Sequence, residues 1–290
     1  MKYIFIVNPN SGNINLEVIK ANIEKAMEGL EYKIVETRSP NHATRIALKY
    51  KNEENAIVYS VGGDGTLNEV INGIAGGKCK LGVIPCGSGN DFYKSLEKYS
   101  KKESTIDLGV VNDKFYFINI ASVGFDAQVC NEANLIKEAG KHKKISYYLG
   151  ILKTFIKFRF QEYEIEYNDK KVKGKYTIIA ICNGRYYGGG FQIAPLASFD
   201  DDLFDIYFAD KMGRIRLIGV LIKLVKAKHE KSKLVKKVKT TSIKLSSDKD
   251  MILNIDGEII KLKKAEIRIV PNAVTIYNDK NLVKKIIDGQ

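Results

Sequence analysis

The chain is poor in cysteine, in histidine and in long apolar runs. Its four cysteines, Cys79, Cys86, Cys130 and Cys182, show no Cys-x-x-Cys spacing. This speaks against a disulfide framework and a structural zinc site, and it suits a reducing compartment. Three histidines, His42, His142 and His229, leave little room for a histidine metal cluster or a histidine-based catalytic array. No uninterrupted apolar stretch reaches the roughly 18 residues of a membrane-spanning helix. The best candidate, Ile215 to Val225, is broken by Arg216 and Lys223. The start, Met1-Lys2-Tyr3-Ile4-Phe5-Ile6-Val7, has too short an apolar run for a signal peptide and no small-residue cleavage site. A cytoplasmic protein without a transmembrane segment is expected.

What is present is a globular composition. The 290 residues are 44% hydrophobic and 28% charged, which excludes disordered and fibrous classes. The length allows two domains or one large one, with a core that needs no staples. The net charge is +13, and it is unevenly placed. Residues 1–130 hold 15 basic and 15 acidic side chains; residues 131–290 hold 32 and 19. Lysine supplies 40 of the 47 basic groups. Lysine is a point charge on a long stem, suited to a diffuse anionic surface. Such asymmetry points to nucleic acid or an anionic membrane. The chain lacks an interleaved aromatic-basic stacking motif, so nucleic acid is not expected.

Hydrophobic patterning divides the chain. Apolar runs at Lys2–Val7, Tyr32–Glu36, Ala56–Val61 and Leu81–Ile84 read as strands. Segments Asn15–Leu30, Asn41–Tyr50, Leu67–Ala75 and Asn90–Leu96 read as helices. This alternation predicts a parallel sheet with helices on its faces. Beyond about residue 120 the runs follow one another directly: Phe115–Ala121, Tyr163–Tyr167, Tyr176–Cys182, Phe204–Ala209, Thr241–Leu245, Met251–Ile255, Glu266–Val270 and Val274–Tyr277. They predict an antiparallel β-sandwich, interrupted by helices near 143–159 and 213–229. The expected organisation is an α/β domain over 1–120, a β-rich domain over 121–278, and a tail, 279–290, that packs back on the first.

Three turns carry the chemistry. Asn8-Pro9-Asn10-Ser11-Gly12 follows the first strand. Gly62-Gly63-Asp64-Gly65-Thr66 follows the third, with Leu67-Asn68-Glu69 opening a helix. Pro85-Cys86-Gly87-Ser88-Gly89-Asn90-Asp91 follows the fourth. Glycines let a phosphate approach backbone amides, and a helix N-terminus offers unpaired N–H groups. In a parallel sheet all three turns lie at one edge, where they can converge on a polyphosphate. Thr66 is the expected N-cap, with Glu69 completing a capping box. Asp64 inside an anion-binding loop makes sense chiefly with a cation between it and the phosphates. The loop is not a Walker A, and an ordinary capped βα turn is the competing account. Asp256-Gly257-Glu258 lies between two short apolar runs and reads as a hairpin turn. Asp200-Asp201-Asp202 reads as a solvated acidic loop.

Taken in order, Asn-Pro-x-Ser-Gly, then Gly-Gly-Asp-Gly-Thr-Leu-Asn-Glu-Val-Ile-Asn-Gly, then Gly-Ser-Gly-Asn-Asp-Phe resemble the diacylglycerol kinase catalytic family. This family includes bacterial soluble lipid kinases and the sphingosine and ceramide kinases. Gly124-Phe125-Asp126-Ala127 and Asp256-Gly257-Glu258 extend the resemblance over nearly the full chain. The resemblance implies a kinase using ATP and Mg2+ on a lipid hydroxyl, diacylglycerol foremost. It implies ATP-binding positions at Asn8, Pro9, Asn10, Ser11, Gly12, Thr37, Gly62, Gly63, Asp64, Gly65, Thr66, Leu67, Asn68, Glu69 and Ser88. Position 88 is usually Thr, and Asn10 also departs from the common pattern. Asp64, Asp107 and Asp256 match an acidic network that organises magnesium and water, and Glu258 matches the general base. The segment Ala197–Phe204 matches a structural magnesium loop with ligands at Asp201 and the carbonyls of Ser198 and Leu203. Asp202 stands where the family often has Gly. NAD kinases and phosphofructokinases share Gly-Gly-Asp-Gly alone. An NAD kinase, or a non-enzymatic binding module on a degenerate kinase fold, is the alternative.

The positive charge concentrates in two amphipathic segments. Residues 211–244 hold 12 basic side chains and one acid, Glu230; residues 137–159 hold seven and one, Glu138. Ile215, Ile218, Leu221, Ile222 and Val225 share one helical face. Ile145, Tyr148, Leu149, Leu152, Phe155 and Ile156 share another. Such helices either lie in a membrane interface or pack on the β domain. A lipid substrate met at an anionic membrane surface, at the inner face, is the expected partner. The oligomeric state stays open, a homodimer included.

Overall fold

The computed structural model describes residues 1–12, 15–97, 99–139 and 143–289, and for residues 138, 143 and 144 the backbone alone. Lys141 and His142, part of the basic segment noted above, lie outside the described residues. The first half forms β1 (Lys2–Val7), α1 (Leu16–Ala26), β2 (Glu31–Glu36), α2 (His42–Leu48), β3 (Ala56–Gly62), α3 (Asp64–Ile74), β4 (Lys80–Pro85) and α4 (Asp91–Leu96). The four strands are parallel in the order β2-β1-β3-β4. Successive residues face opposite ways, as the pleat requires. Ile4, Ile6 and Val58 meet α2 and α3, whereas Phe5, Val7, Ile57 and Tyr59 meet α1. Because both faces are covered, β3 is buried at every position.

The second half begins with β5 (Glu103–Val111), β6 (Phe115–Phe117) and β7 (Ile120–Gly124). Two helices follow, α5 (Phe125–Glu138) and α6 (Lys143–Lys157). Next come β8 (Glu162–Tyr167), β9 (Lys170–Cys182), β10 (Tyr186–Tyr187), β11 (Phe191–Gln192) and β12 (Phe204–Asp210). Helix α7 (Arg214–Val225), β13 (Val235–Thr240), β14 (Ser242–Ile255), β15 (Glu258–Tyr277) and α8 (Lys280–Asp288) complete the chain. Strands β7, β8, β9, β12, β13, β14 and most of β15 pair antiparallel. They curl around one core that includes Val123, Ile165, Ile181, Ile206, Leu253 and Ile267, so the layering is sandwich-like. Helices α5, α6 and α7 cover the outer face of β7, β9 and β12.

Several elements differ from the sequence expectation. The run Phe115–Ala121 is two strands, broken where Ile118 and Asn119 turn toward another group. Strand β5, where Ile106, Leu108 and Val110 alternate with Thr105, Asp107 and Gly109, and helix α5 are additional to the expected elements. Helix α3 begins at Asp64, with Gly63 at its N-cap, three residues earlier than expected.

The 20-residue β15 joins the two halves. Its first part pairs with β14 as far as Arg268. Register then shifts between Val270 and Val274, where Asn272 takes a left-handed φ of 50°. Beyond this bulge, Thr275 and Ile276 pair parallel to Lys80 and Leu81 of β4. Strand β5 runs antiparallel along both parts. Helix α8 then lies against α1, burying Leu282, Val283 and Ile286, with Asn22 Nδ2 donating to Ile286 O at 2.9 Å.

Asn183, after β9, ties β5 to the junction of β6 and β7 from inside. Its buried amide donates to Asp107 O and to Ile118 O, both at 2.9 Å. Replacing it leaves two buried carbonyls unpaired. Asn183→Ala is expected to lower stability by about 2–3 kcal/mol in urea unfolding. An unchanged midpoint would remove this residue from the account.

Candidate active site

The three glycine turns meet at the carboxyl ends of β1, β3 and β4. Asn8 Nδ2 donates to Thr66 Oγ1 at 3.0 Å, and Asn8 Oδ1 accepts from Asn10 N at 3.0 Å. A Cβ on Gly12, whose φ is +66°, would sit 2.2 Å from Cys86 O. One on Gly87 would sit 2.4 Å from the Gly63 Cα. These are backbone-to-backbone approaches that no side chain permits. The turns therefore form one continuous backbone surface. Thr37 is beside it, its N–H donating to Val7 O at 2.9 Å. Pro9 and Ser11 are half-buried there, while Asn10, Gly65 and Ser88 are exposed. Leu67 differs: its side chain is buried in the core beneath α3, so only its backbone reaches the turn.

The two acids of α3 serve neighbouring helices. Asp64 accepts from the backbone N–H groups of Asn90 at 2.9 Å and Asp91 at 2.7 Å. Helix α4 has no side-chain cap of its own, and Asp64 supplies it. Glu69 accepts from Asn41 N and Ala43 N, both at 3.0 Å, and so caps α2. The expected Thr66–Glu69 capping box is thus corrected. Thr66 lies inside α3, its hydroxyl held by Asn8, and Glu69 reaches another helix.

Asp256 and Gly257 form a two-residue hairpin turn with φ of 49° and 99°, joining β14 to β15. The carboxylate of Asp256 folds back into a nest of peptide N–H groups: Ile118 at 2.7 Å, Asn119 at 3.0 Å and Ile120 at 2.8 Å. Asn68 Nδ2, one turn into α3, lies 3.5 Å away. Burial pushes the Asp256 carboxyl up to about 6; the three N–H donors work against that, and the charge of Asp64 adds to it. Glu258, two residues on, is exposed at the start of β15. Helix α5 braces this turn: Cys130 Sγ and Asn134 Nδ2 both contact Gly257 O at 3.3 Å. Burial pushes the Cys130 thiol up to about 12, so it is no nucleophile at neutral pH.

Two further carboxylates stand nearby. Asp91 is buried, accepts from Gly189 N at 2.9 Å and pairs with Lys94 at 3.4 Å. Burial, then the charge of Asp64, raises its pKa. Asp126, in the first turn of α5, is 8% exposed, and its donors are local: Ser122 and the peptide N–H groups at the start of its own helix. Both residues stand inside motifs quoted above, but neither spacing nor residue type marks them as site groups.

Asp107 shares no hydrogen-bond donor with Asp64 or Asp256 among the described residues. Its Oδ1 accepts from Asn272 N, at the β15 bulge, and its Oδ2 from Asp202 N, both at 2.9 Å. It therefore joins the bulge to the 198–203 loop. In that loop Asp202 adopts φ 57°, the conformation a glycine would take. Asp201 Oδ1 accepts from Leu203 N at 3.3 Å, and its Oδ2 pairs with Lys239 Nζ at 2.7 Å. Ser198 Oγ is hydrogen-bonded to Asp200. Lys239 already supplies a cation to Asp201, so a divalent ion on Ser198, Asp201 and Leu203 has to displace an ammonium. Among the described residues no three His, Cys, Asp or Glu side chains converge on a metal position. Asp64 and Asp91 beside the phosphate turns suit a Mg2+ that arrives with a nucleotide, since Mg2+ commonly takes one or two carboxylates plus phosphate oxygens.

The chain is similar to known proteins over both halves. Residues 2–114 match the diacylglycerol kinase catalytic domain, and residues 119–278 match the YegS C-terminal NAD kinase beta sandwich-like domain. A diacylglycerol kinase of Bacillus subtilis (strain 168) is 30% identical over 274 residues, covering 87% of this chain and 88% of that protein. A diacylglycerol kinase of Staphylococcus saprophyticus is 31% identical over 274 residues, covering 87% of each. A crystal structure from Bacillus anthracis str. Sterne superposes with a TM-score of 0.78 at 22% identity, over 97% of this chain and 96% of that one. Another, of a diacylglycerol kinase from the same organism, gives 0.69 at 18%, over 97% and 98%.

Two outcomes follow from these contacts. With Lys239 as the resident cation, the wild-type Tm without nucleotide should ignore Mg2+ and chelator alike. Lys239→Met should gain a Mg2+-dependent rise of about 2–4 °C. A wild-type Tm that falls on chelation would show a bound metal instead. For Asp126, burial raises the folded pKa to about 6, above the unfolded value of 3.8. Its contribution to stability is therefore full below about pH 4 and lost as pH rises through about 6. Asp126→Asn should be more stable than wild type at pH 7.5 by about 2–3 kcal/mol, the gap closing toward pH 4. A gap that stays flat across this range would contradict the buried charge.

Proposed function

The chain belongs to the diacylglycerol kinase family and is a lipid kinase; from that premise we propose that it moves the γ-phosphate of ATP to the hydroxyl of diacylglycerol, giving phosphatidic acid. The observation that carries this reading is the position of the Asp256–Glu258 turn. It lies beside the first turns of α3, linked through Asn68, directly past the converged glycine turns. Phosphoryl transfer asks the protein for phosphate positioning and for a carboxylate at the attacking hydroxyl. The α/β half supplies the first and the β half the second, and Asn68 links them.

The roles divide as follows. Backbone N–H groups of Gly12, Gly63–Thr66, Ser88 and Gly89 hold the phosphates, and Asn8 to Ser11 shape the first turn around them. Mg2+, when bound with ATP, neutralises charge on those phosphates. Asp64 and Asp91 stand beside it. Glu258 takes the proton of the acceptor hydroxyl as its oxygen bonds to phosphorus and the bond to ADP breaks. Asp256, saturated by three peptide donors, is a positioning residue that aims Glu258. Glu69 shapes the nucleotide end by fixing α2 and the chain near Thr37. Asp107 acts at a distance, holding the bulge and the 198–203 loop. We place the reaction at the inner, anionic face of a membrane, where the acceptor resides. No described helix is long and apolar enough to cross it.

Glu258→Gln keeps shape and removes the base. It should lower kcat by about 10²–10⁴-fold with an unchanged Tm. The assay uses labelled ATP with a lipid panel and NAD, products identified by mass. Wild-type turnover in the variant would break the assignment of Glu258. Phosphorylation of NAD and of no lipid would establish the NAD kinase reading instead.

A further inference from the structure

Helices α6 and α7 are apolar on two sides. Their inner sides hold Tyr147, Ile151 and Phe155, and Leu217, Val220 and Leu224, packed over β7, β9 and β12. Their outer sides are apolar as well: Leu152 is 57% exposed, Ile156 60%, Ile215 87%, Ile222 52% and Val225 67%. On α7 the outer positions 215, 218, 222 and 225 fall in one line along the helix. The two helices are neighbours. Arg214 Nη2, at the start of α7, donates to Ile156 O, near the end of α6, at 2.8 Å. Both rest on the same core cluster, so both outer sides point away from the same sheet face. Single exposed apolar residues need no explanation, but two adjoining stripes make a patch that does.

Charge identifies the occupant. Helix α7 contains no acid. Among the described residues no carboxylate lies within ion-pair distance of Lys157, Arg216, Lys223 or Lys226. Pairing does occur elsewhere on the β domain, as in Lys171 with Glu166 at 2.8 Å, Lys173 with Glu164 at 3.1 Å and Lys236 with Asp210 at 3.0 Å, and Lys153 on α6 pairs with Glu132. Unmatched cations thus border the aliphatic stripes. A second copy of the chain would set two such cationic borders against each other, which is unfavourable. A polyanion without acyl chains would leave the isoleucines in water. An anionic bilayer satisfies both features: acyl chains take the isoleucines and headgroups take the lysines.

We infer that the outer faces of α6 and α7 form one membrane-docking surface, which seats about 5–10 Å into the interface of an anionic bilayer. This deepens the reading of a lipid acceptor and rests on that reading only for its purpose. Helix α5 packs along α6, where a Cβ on Gly150 would lie 3.0 Å from Val129 O, and α5 braces the Gly257 carbonyl. The surface therefore holds the Glu258 turn one helix away from the lipid.

The test sediments the full chain, without ATP, with vesicles of phosphatidylglycerol and phosphatidylcholine, or of phosphatidylcholine alone. Wild type should bind the anionic vesicles and release with salt. Ile218→Asp with Ile222→Asp, and separately Leu152→Asp with Ile156→Asp, should weaken binding at least tenfold. Tm, oligomeric state and turnover of a water-soluble short-chain acceptor should be unchanged. Arg216→Gln, Lys223→Gln and Lys226→Gln together should weaken only the anionic-vesicle binding. Aspartate variants that bind as wild type does would overturn the surface. Loss of binding together with a dimer-to-monomer shift would assign it to a second copy and overturn it too. Vesicle binding as expected, with no lipid phosphorylated by wild type, would strike the kinase reading and leave this surface supported.

Discussion

Unpaired backbone N–H groups at chain ends and bends must find acceptors, and in this protein carboxylates supply them. Asp64 serves α4, Glu69 serves α2, Asp256 serves the peptide run 118–120, Asp91 serves Gly189, and Asp107 serves Asn272 and Asp202. Each bond joins segments far apart in sequence. An N–H that pairs with a carboxylate gives a bond stronger than a neutral one. The acidic residues are therefore fixed in place before any ligand arrives. Asp64 repels Asp91 and Asp256, and that repulsion is tolerated because each of the three is tied to peptide dipoles. Two acids differ: Asp126 is buried with local donors alone, and Glu258 is exposed and free to act.

This constraint also explains how the two domains make one site. The hairpin at Asp256 belongs to the β half, yet its carboxylate is captured where β6 meets β7 and is reached by Asn68 from the α/β half. Asn72 repeats the tie, exchanging bonds with Tyr116 N at 2.9 Å and Tyr116 O at 3.0 Å. The polar side of α3 is thus an interdomain seam. Its apolar side is core. One helix reads the glycine turn at its start and the acceptor turn one step later.

Much of this was legible in the sequence. The four parallel strands stand out because both faces are buried, leaving unbroken apolar runs. The three glycine turns stand out because close backbone approach admits no other residue. The hairpin at Asp256-Gly257 was legible as a turn, and it is one; its reading as a site came with the family resemblance. What was illegible depended on tertiary partners. Strand β5 carries only a short alternation, Ile106, Leu108 and Val110, amid Ser104, Thr105, Asp107 and Gly109, and β15 and β6 complete its pairing. Helix α5 carries polar groups toward Gly257 and so blurs its own period. No local rule tells Glu69 to cap a helix some 26 residues earlier, or Asp107 to meet a loop 95 residues later. The face of Ile215, Ile218, Ile222 and Val225 was readable as apolar. That it faces outward was not, because Leu217, Val220 and Leu224 compete for the same sheet.

The long last strand has a consequence for how the chain is made. The α/β half is first in sequence, but it is not complete until Thr275 and Ile276 close the edge of β4 and α8 covers α1. During synthesis the early strands therefore wait, with an open sheet edge and one face covered by α1 alone, while nearly the whole β half emerges. The first half gains its last strand and its last helix only after the second half has been made.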